Sequence, residues 1–347
     1  MGNSYTLVDT KDDREKIASE LSTDRINGRD GGVFQIRKPI HEGTINSMVA
    51  IEKGSSNLVV SAGVDENIIV QDIKDTKSTG TFTTKWKHKG GITKLAYKRV
   101  LNNEFVVSGS TNGTICLWQF GVAAPICMFE VPEEKIGGLT TIDENIVVVG
   151  GSKGTLRAFD VNVQASIRSV GLSAGNEVTH VAKSPDDQIL AQTSSDRTVN
   201  YDGLYCATSS DGTKHEGCEV TIWDLRQHRP LQHMHGHDAA VRSVVFLPQQ
   251  VTWKKLLMST SDDHQLMLWE KDVAGSIWQE DLIGCKRLNS GVGFIDGFLA
   301  VGGEDGAFCC LKLCSKRGHS FLATKSLQTL TYNDFEVDEE LEVIGIS

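Results

Sequence analysis

The chain has 347 residues, of which 39% are hydrophobic, and 35 basic against 45 acidic side chains give it a formal net charge of -10. This share of apolar residues is sufficient for a buried core. A nucleic-acid binder needs a basic face to displace counterions from phosphates, and no basic cluster occurs, so we exclude nucleic acid as a partner. No apolar run approaches the roughly 20 residues of a membrane span, and we expect a cytoplasmic protein.

Residues 1–32 are predicted to form an N-terminal segment with a lipidation signal. Its start fits the pattern M-G-x-x-x-[ST], with Gly2 at the second position and Thr6 at the sixth. The motif predicts myristate on the Gly2 amine after removal of Met1. A single myristoyl chain binds membranes only marginally, and no cysteine precedes Cys116, so we expect reversible membrane attachment.

Residues 33–315 contain a repeated pattern of a short apolar strand, a tight polar turn and a second strand that ends in an aromatic or apolar slot. The pattern is clear at 59–72, 106–118 and 257–269, and weaker at 147–160, 189–199, 205–224 and 299–311. In the clear copies a turn Asp or Asn lies six residues before the slot, a strand Ser lies ten before it, and a His stands upstream. These residues are His41, Ser61, Asp65, His88, Ser108, Asn112, Trp118, His237, Ser259, Asp263 and Trp269.

This layout resembles the WD-repeat family over nearly the whole chain. The resemblance implies an all-β, seven-bladed β-propeller in which each repeat forms one four-stranded blade. It also implies that His, Ser or Thr, Asp and Trp form a buried hydrogen-bonded network in each blade. Such a network is structural rather than catalytic, because buried polar groups must find partners. The segment 33–37 is expected to supply the outer strand of the last blade.

The repeat breaks once. Successive turns lie 41 to 52 residues apart, except for one step of 15 residues between Asp196 and Asp211. About three strands are therefore expected to be missing, with the fourth blade ending near 198–201 and the fifth resuming at Gly203. A variant transcript or a gene-model error that drops coding sequence explains the break, and so does a ring with fewer blades. Ordinary repeats on both flanks favour dropped sequence, and exposed strand edges at the gap favour aggregation.

One short motif suggests a specific partner. Trp223, Asp224 and Arg226 form a W-D-x-R ending, which resembles the motif by which some propellers dock on the adaptor of cullin-4 ubiquitin ligases. An ordinary blade strand with an exposed Arg explains the same residues, and we prefer that interpretation. The stretch 150–154 fits the hydrolase pattern G-x-S-x-G, but a strand follows it where that motif needs a helix, so we predict a tight turn.

A closer resemblance covers 216–227, Gly236 with His237, and 245–248, and two upstream stretches, 178–180 and 192–196, agree with it. These segments resemble the WD repeat-containing protein 31 family. The resemblance implies a cilium-associated protein at the ciliary base and membrane. It implies a role in cilium assembly and in the control of intraflagellar transport and the BBSome, together with regulators of small ARF-type GTPases.

The eight cysteines include no C-x-x-C pair, so we interpret them as reduced core residues and predict no metal and no cofactor. Residues 316–347 form a C-terminal segment with a run of acidic residues and no Lys or Arg among them. We favour a solvated acidic tail over a docking motif for this run. Its members are Asp334, Glu336, Asp338, Glu339, Glu340 and Glu342.

The sequence therefore predicts a non-catalytic protein-interaction scaffold in ciliary trafficking. The alternative is a substrate receptor of a cullin-4 type ubiquitin ligase. We find no constellation of residues for an enzyme.

Overall fold

The structure is a computed structural model, and its described residues contain 27 β-strands and no helix. The described residues are 35–37, 40–54, 56–73, 84–100, 103–142, 145–171, 177–183, 190–194, 199–201, 205–212, 216–224, 226–227, 229–248, 256–271, 273, 275–282, 285–295, 297–316 and 319–323.

The strands form seven antiparallel sheets, which follow one another along the chain. The first sheet contains β2 (Ile45–Lys53), β3 (Ser56–Gly63), β4 (Asn67–Asp72) and β5 (Thr84–Lys87). The second contains β6 (Ile92–Val100), β7 (Asn103–Ser110), β8 (Thr114–Gln119) and β9 (Cys127–Glu130). The third contains β10 (Ile136–Ile142), β11 (Ile146–Gly151), β12 (Thr155–Asp160) and β13 (Ala165–Gly171).

The fourth sheet holds only β14 (Val178–Lys183) and β15 (Leu190–Ser194) among the described residues. The fifth contains β16 (Val199–Tyr201), β17 (Tyr205–Ser209), β18 (Glu219–Asp224) and β19 (Arg229–His235). The sixth contains β20 (Val241–Phe246), β21 (Leu256–Ser261), β22 (Gln265–Glu270) and β23 (Trp278–Asp281). The seventh joins β24 (Leu288–Gly293), β25 (Phe298–Gly303), β26 (Phe308–Lys316), β27 (His319–Ala323) and β1 (Gln35–Arg37).

The first strand of each sheet contacts the first strand of the next, from β2 round to β24 and back to β2, so the sheets form a closed ring of propeller blades. Most of these inner strands carry a β-bulge after their first residue, and the bulge turns the strand more tightly around the central axis. The bulged residues are Asn46, Thr93, Gly137, Thr179, Arg242 and Asn289.

The ring is closed by pairing of the two ends of the chain. β1 runs antiparallel to β26, with Gln35 opposite Cys310 and Arg37 opposite Phe308. The expected outer strand of the last blade is therefore present at 35–37, while residues 33 and 34 lie outside the described residues. β27 pairs with the later part of the same strand, from Lys312 to Lys316.

The turn between the second and third strands of a blade needs a left-handed backbone, which glycine adopts at low cost. Gly113, Gly154 and Gly306 have φ of +82°, +73° and +76° at equivalent positions. Gly154 thus lies in a tight turn between β11 and β12. The predicted turn at 150–154 is therefore confirmed, and the strand-to-helix elbow of a hydrolase is absent at these residues.

The break in the repeat differs from the sequence prediction in one respect. Residues 199–201 do not end the fourth blade. They form β16, which pairs with β17 as the innermost strand of the fifth blade, with Val199 opposite Thr208 and Tyr201 opposite Cys206. Only three residues separate β16 from β17, which suits a hairpin. β16 therefore supplies the hydrogen-bonding partner for the edge of β17 that faces the central axis. The fourth blade therefore has two strands in the described part of the chain.

The short fourth blade leaves a neighbouring tryptophan exposed. Trp118, Trp223 and Trp269 occupy equivalent positions in the third strands of their blades. Trp118 and Trp269 are 1% and 0% exposed, because each packs on the outer strands of the preceding blade. Trp223 is 37% exposed, since the blade before it has no described third or fourth strand.

We expect the difference in burial between Trp118 and Trp223 to appear as a difference in stability when each is replaced. Replacing Trp118 by Ala removes a fully packed ring and lowers the free energy of unfolding by about 3–5 kcal/mol. Trp223→Ala removes a half-covered ring and lowers it by about 1–2 kcal/mol, because less apolar area returns to water. Urea denaturation of both variants measures the two losses, and equal losses contradict the open position of Trp223.

Candidate functional site

The predicted polar network is complete in the sixth blade. His237 Nδ1 lies 2.8 Å from Asp263 Oδ2, and His237 Nε2 lies 2.7 Å from Ser259 Oγ. Trp269 Nε1 donates a hydrogen bond of 2.7 Å to the same Ser259 oxygen. Because a carboxylate only accepts, Nδ1 carries the proton toward Asp263 and Ser259 donates to Nε2. The network ties the loop before β20 to the turn between β21 and β22.

The first blade has the same network without the aromatic residue. His41 Nδ1 lies 2.9 Å from Asp65 Oδ1, and His41 Nε2 lies 2.9 Å from Ser61 Oγ. Gln71 takes the place of the tryptophan and is 2% exposed. Its side-chain oxygen accepts no hydrogen bond from the described residues. The His–Ser–Asp part of the network thus forms without an indole donor.

The second blade departs from the predicted network. Trp118 Nε1 donates to Ser108 Oγ at 2.8 Å, as the pattern implies. His88, however, does not contact Asn112, because its Nδ1 lies 2.8 Å from the carbonyl oxygen of Lys89. The Asn112 side-chain oxygen accepts instead from the Thr114 amide at 3.1 Å. A neutral amide attracts an imidazole less strongly than a carboxylate does, so the local turn retains Asn112.

The third blade uses a residue that sequence reasoning missed. Glu134 is 2% exposed and accepts hydrogen bonds from the Lys153 amide at 3.0 Å and from Thr155 Oγ1 at 2.8 Å. Arg157 Nη2 lies 3.2 Å from its other oxygen. A Cβ at Gly151 collides with this carboxylate, so a larger residue there displaces the Glu134 side chain. The sequence signals for this site are Gly151 at a strand end and Arg157 inside a strand.

The contacts of the first and sixth blades lower the pKa of their aspartates, Asp65 and Asp263. Burial by itself raises the pKa of Asp65, but hydrogen bonds from His41 and Asn67 outweigh burial and hold the pKa well below its ordinary value. Burial also raises the pKa of Asp263, and His237 together with backbone amides lowers it overall. Both side chains are therefore carboxylates that the folded state stabilises.

Stability should depend on this ionisation. The folded-state pKa of Asp65 is lowered, so its contribution is fully present above the unfolded value of about 4 and is lost as the pH falls below it. We expect Asp65→Asn to be less stable than the parent chain at pH 7, and the difference to shrink between about pH 4 and pH 2. Urea denaturation at a series of pH values measures this. A difference that does not change with pH contradicts the assignment.

The W-D-x-R residues lie together at the end of β18. Asp224 is buried, and its Oδ2 lies 3.1 Å from Arg226 Nη2 while its Oδ1 accepts from Arg226 Nε at 3.3 Å. The Arg226 side chain is nevertheless 58% exposed. Trp223 Nε1 donates to Thr208 Oγ1 at 3.0 Å. The exposed faces of Trp223 and Arg226 can therefore contact a partner. The predicted lipidation site Gly2 lies outside the described residues.

The third and fifth blades are only partly covered by described residues on the sides next to the short fourth blade. On the third blade, Leu156 and Ala158 are only half-buried, whereas their equivalents Ile115 and Leu117 in the second blade are buried. On the fifth blade, a cavity of about 310 Å³ lies next to Trp223. Its lining includes the carboxylates of Asp211 and Glu219 together with Thr208, Thr221 and His233.

The described part of the chain contains no group of three or more His, Cys, Asp or Glu side chains that could hold a metal ion. In the same residues no helix is long and apolar enough to cross a membrane. The seven cysteines with described side chains are buried, and no two of them form a disulfide. Cys285 and Cys309 lie with their sulfur atoms 3.6 Å apart.

Comparison with known proteins finds similarity to WD-repeat proteins. The family model described as WD domain, G-beta repeat matches residues 78–119, 167–201 and 228–270. Pre-mRNA-processing factor 19 of Bos taurus is 22% identical over 209 residues, which are 60% of this chain and 37% of that protein. Protein SPA1-RELATED 3 of Arabidopsis thaliana is 21% identical over 260 residues, which are 71% of this chain and 28% of that protein.

The matched part of the chain thus spans only 37% and 28% of the length of these two relatives. Among solved structures, the WD40 β-propeller domain of Doa1 has a TM-score of 0.64 at 16% identity, covering 81% of this chain and 96% of that chain. At this identity the likeness shows the fold alone. Three segments of this chain thus match the WD repeat, and its fold is that of a WD40 β-propeller.

Proposed function

We propose that this protein is a non-catalytic scaffold that binds other proteins during cilium assembly and in the control of intraflagellar transport and the BBSome. The observation that supports the scaffold role is the propeller itself. Its repeated polar side chains are used inside the blades, and its rims and faces remain as surfaces. WD40 propellers generally bind proteins, and the matched repeats bring that general role to this chain.

The repeat histidines support a non-catalytic role. His41, His88 and His237 are each 3% exposed. In the first and sixth blades both ring nitrogens are already hydrogen-bonded to Ser and Asp side chains. His41 and His237 therefore have neither access to solvent nor a free ring nitrogen, so they cannot act as a general base on a substrate. His88 is equally inaccessible, although its Nε2 has no hydrogen-bond partner among the described residues. These Ser–His–Asp groups resemble a catalytic triad only in composition.

The ciliary setting rests on the resemblance of 216–227 and its flanking motifs to the WD repeat-containing protein 31 family. Membrane attachment rests on the Gly2 signal, which provides one weak anchor. A scaffold with one weak anchor stays at a membrane only while a bound partner helps to hold it. Regulators of small ARF-type GTPases at the ciliary membrane are partners of this kind.

Proximity labelling in ciliated cells tests this function. We expect the full chain to label intraflagellar-transport and BBSome proteins. Gly2→Ala should lose those that lie at the ciliary membrane, because it removes the acceptor amine for myristate. Asn3→Ala is the matched control, since it changes the adjacent residue and keeps the amine. A labelled set without ciliary proteins contradicts the ciliary role, and equal labelling by the Gly2 and Asn3 variants contradicts the anchor.

A second candidate function is a substrate receptor of a cullin-4 type ubiquitin ligase. The observation that favours it is the position of Arg226, which is 58% exposed and oriented by two hydrogen bonds to Asp224. A guanidinium fixed in this way can make directional contacts with an adaptor.

Co-purification with the cullin-4 adaptor distinguishes the two functions. For a substrate receptor we expect the full chain to retain the adaptor and Arg226→Ala to lose at least about tenfold of it, equivalent to about 1.4 kcal/mol. Arg229→Ala is the control, because Arg229 lies at the same end of the fifth blade but binds Gln227. Absence of the adaptor from the full chain, or equal losses in both variants, excludes the receptor function.

A further inference from the structure

We propose that the wall of the central channel contains a binding site for a phosphate group, formed by Lys94 of the second blade and His180 of the fourth. Both residues directly follow the β-bulge of their inner strand, with Lys94 opposite Gly109 and His180 opposite Thr193. They therefore lie at the same level of the wall that the inner strands form around the axis. Only β10 of the third blade stands between their strands in the ring.

Side chains at this level point along the ring toward the next inner strand. In the first blade, the Ser47 hydroxyl accepts a hydrogen bond of 3.0 Å from the Leu95 amide of the second blade. In the seventh blade, the Ser290 hydroxyl accepts one of 3.1 Å from the Met48 amide of the first. Lys94 occupies the equivalent position in the second blade, so its side chain is directed toward the third blade.

The third blade carries no side chain at this level. Gly138 lies opposite Gly150 directly after the bulge of β10, and a Cβ on Gly138 meets the backbone of His180 at 2.9 Å. Lys94 and His180 are therefore neighbours across a glycine. Their electrostatic interaction agrees with this placement, because burial and then the charge of Lys94 lower the pKa of His180 to about 3.

Neither side chain has a partner among the described residues. The Nδ1 atom of His180 is buried and makes no hydrogen bond there. Lys94 is half-buried and pairs with no described carboxylate, and burial and the charge of Lys135 lower its pKa to about 8. Arg242 on the inner strand of the sixth blade differs, since its Nε donates to Asp262 at 2.9 Å. A partly buried ammonium group without a counter-ion favours an anion from solution.

The charges around the site are positive in sum. At pH 7 Lys94 and Lys135 are protonated, and the lowered pKa leaves His180 neutral. The one carboxylate nearby is that of Glu177, and its Oε1 lies 3.1 Å from Lys135 Nζ. This pair is neutral as a whole, so the charge of Lys94 is not balanced. The local excess contrasts with the formal net charge of -10 of the whole chain.

A phosphate group fits these donors better than a carboxylate does. Its oxygens point in tetrahedral directions and carry up to two negative charges, so it can accept from donors on two different strands. The Lys94 ammonium group supplies charge and N–H donors, and the neutral His180 ring supplies one N–H. The channel thus gives the scaffold a small phosphate-bearing ligand in addition to its protein partners.

Calorimetric titration of the full chain with inorganic phosphate, at constant ionic strength and pH 7, tests the site. We expect one saturable site, and a loss of affinity of about tenfold or more in both Lys94→Met and His180→Gln. Lys87→Met is the matched control, because it removes the same charge from an exposed position on the outer strand of the first blade. Absence of saturable binding, equal affinity in all four proteins, or tighter binding of acetate than of phosphate overturns the proposal.

Nitrogen NMR of the His180 ring locates the ligand in the unmutated chain, so it does not depend on how well a variant folds. The ring resonances are assigned through the backbone of His180 itself. We expect them to shift on addition of phosphate with the dissociation constant found by calorimetry. Ring resonances that do not move, or that move equally with chloride at the same ionic strength, overturn the placement of phosphate beside His180.

Discussion

The first, second and sixth blades of this propeller have apolar residues on both faces, so each face must be covered by a neighbouring blade. β3, β7 and β21 are buried along almost their whole length, which is possible only because sheets pack on both sides of them. Buried area of this kind is the main favourable contribution to folding. The ring closes for the same reason, since an open ring leaves two sheet faces in water.

The polar networks depend on that packing and support it in return. A buried His or Asp is costly unless it has partners, and the pairs His41–Asp65 and His237–Asp263 meet this need inside the blades. They hold the loop before each inner strand against the turn between the next two strands. In the third blade, Glu134 accepts the hydrogen bonds of the turn in a different geometry. The fold therefore requires that the polar groups of the turn are hydrogen-bonded, and not that one particular residue does so.

The short fourth blade covers the faces of its two neighbouring blades only in part. Both neighbours expose side chains that their equivalents elsewhere bury, and Trp223 is the clearest case. Trp223 belongs to the W-D-x-R motif, so the shortened blade affects one residue of the most specific interaction motif.

The sequence alone determined the class of fold, because the period of the repeat, the turn glycines and the His–Ser–Asp spacing are local patterns. It also located a break near 199–204, although it assigned residues 198–201 to the fourth blade. Only the tertiary structure decided how the chain uses that break, since strand β16 is assigned to the fifth blade by its pairing with β17 and not by its own residues. The burial of Glu134 was likewise decided by tertiary contacts, whereas His88 and Asn112 are separated because each bonds to nearby backbone. The reason is physical: local sequence sets strand and turn propensity, whereas partner choice for a buried polar group or a strand edge depends on which segments the closed ring brings together.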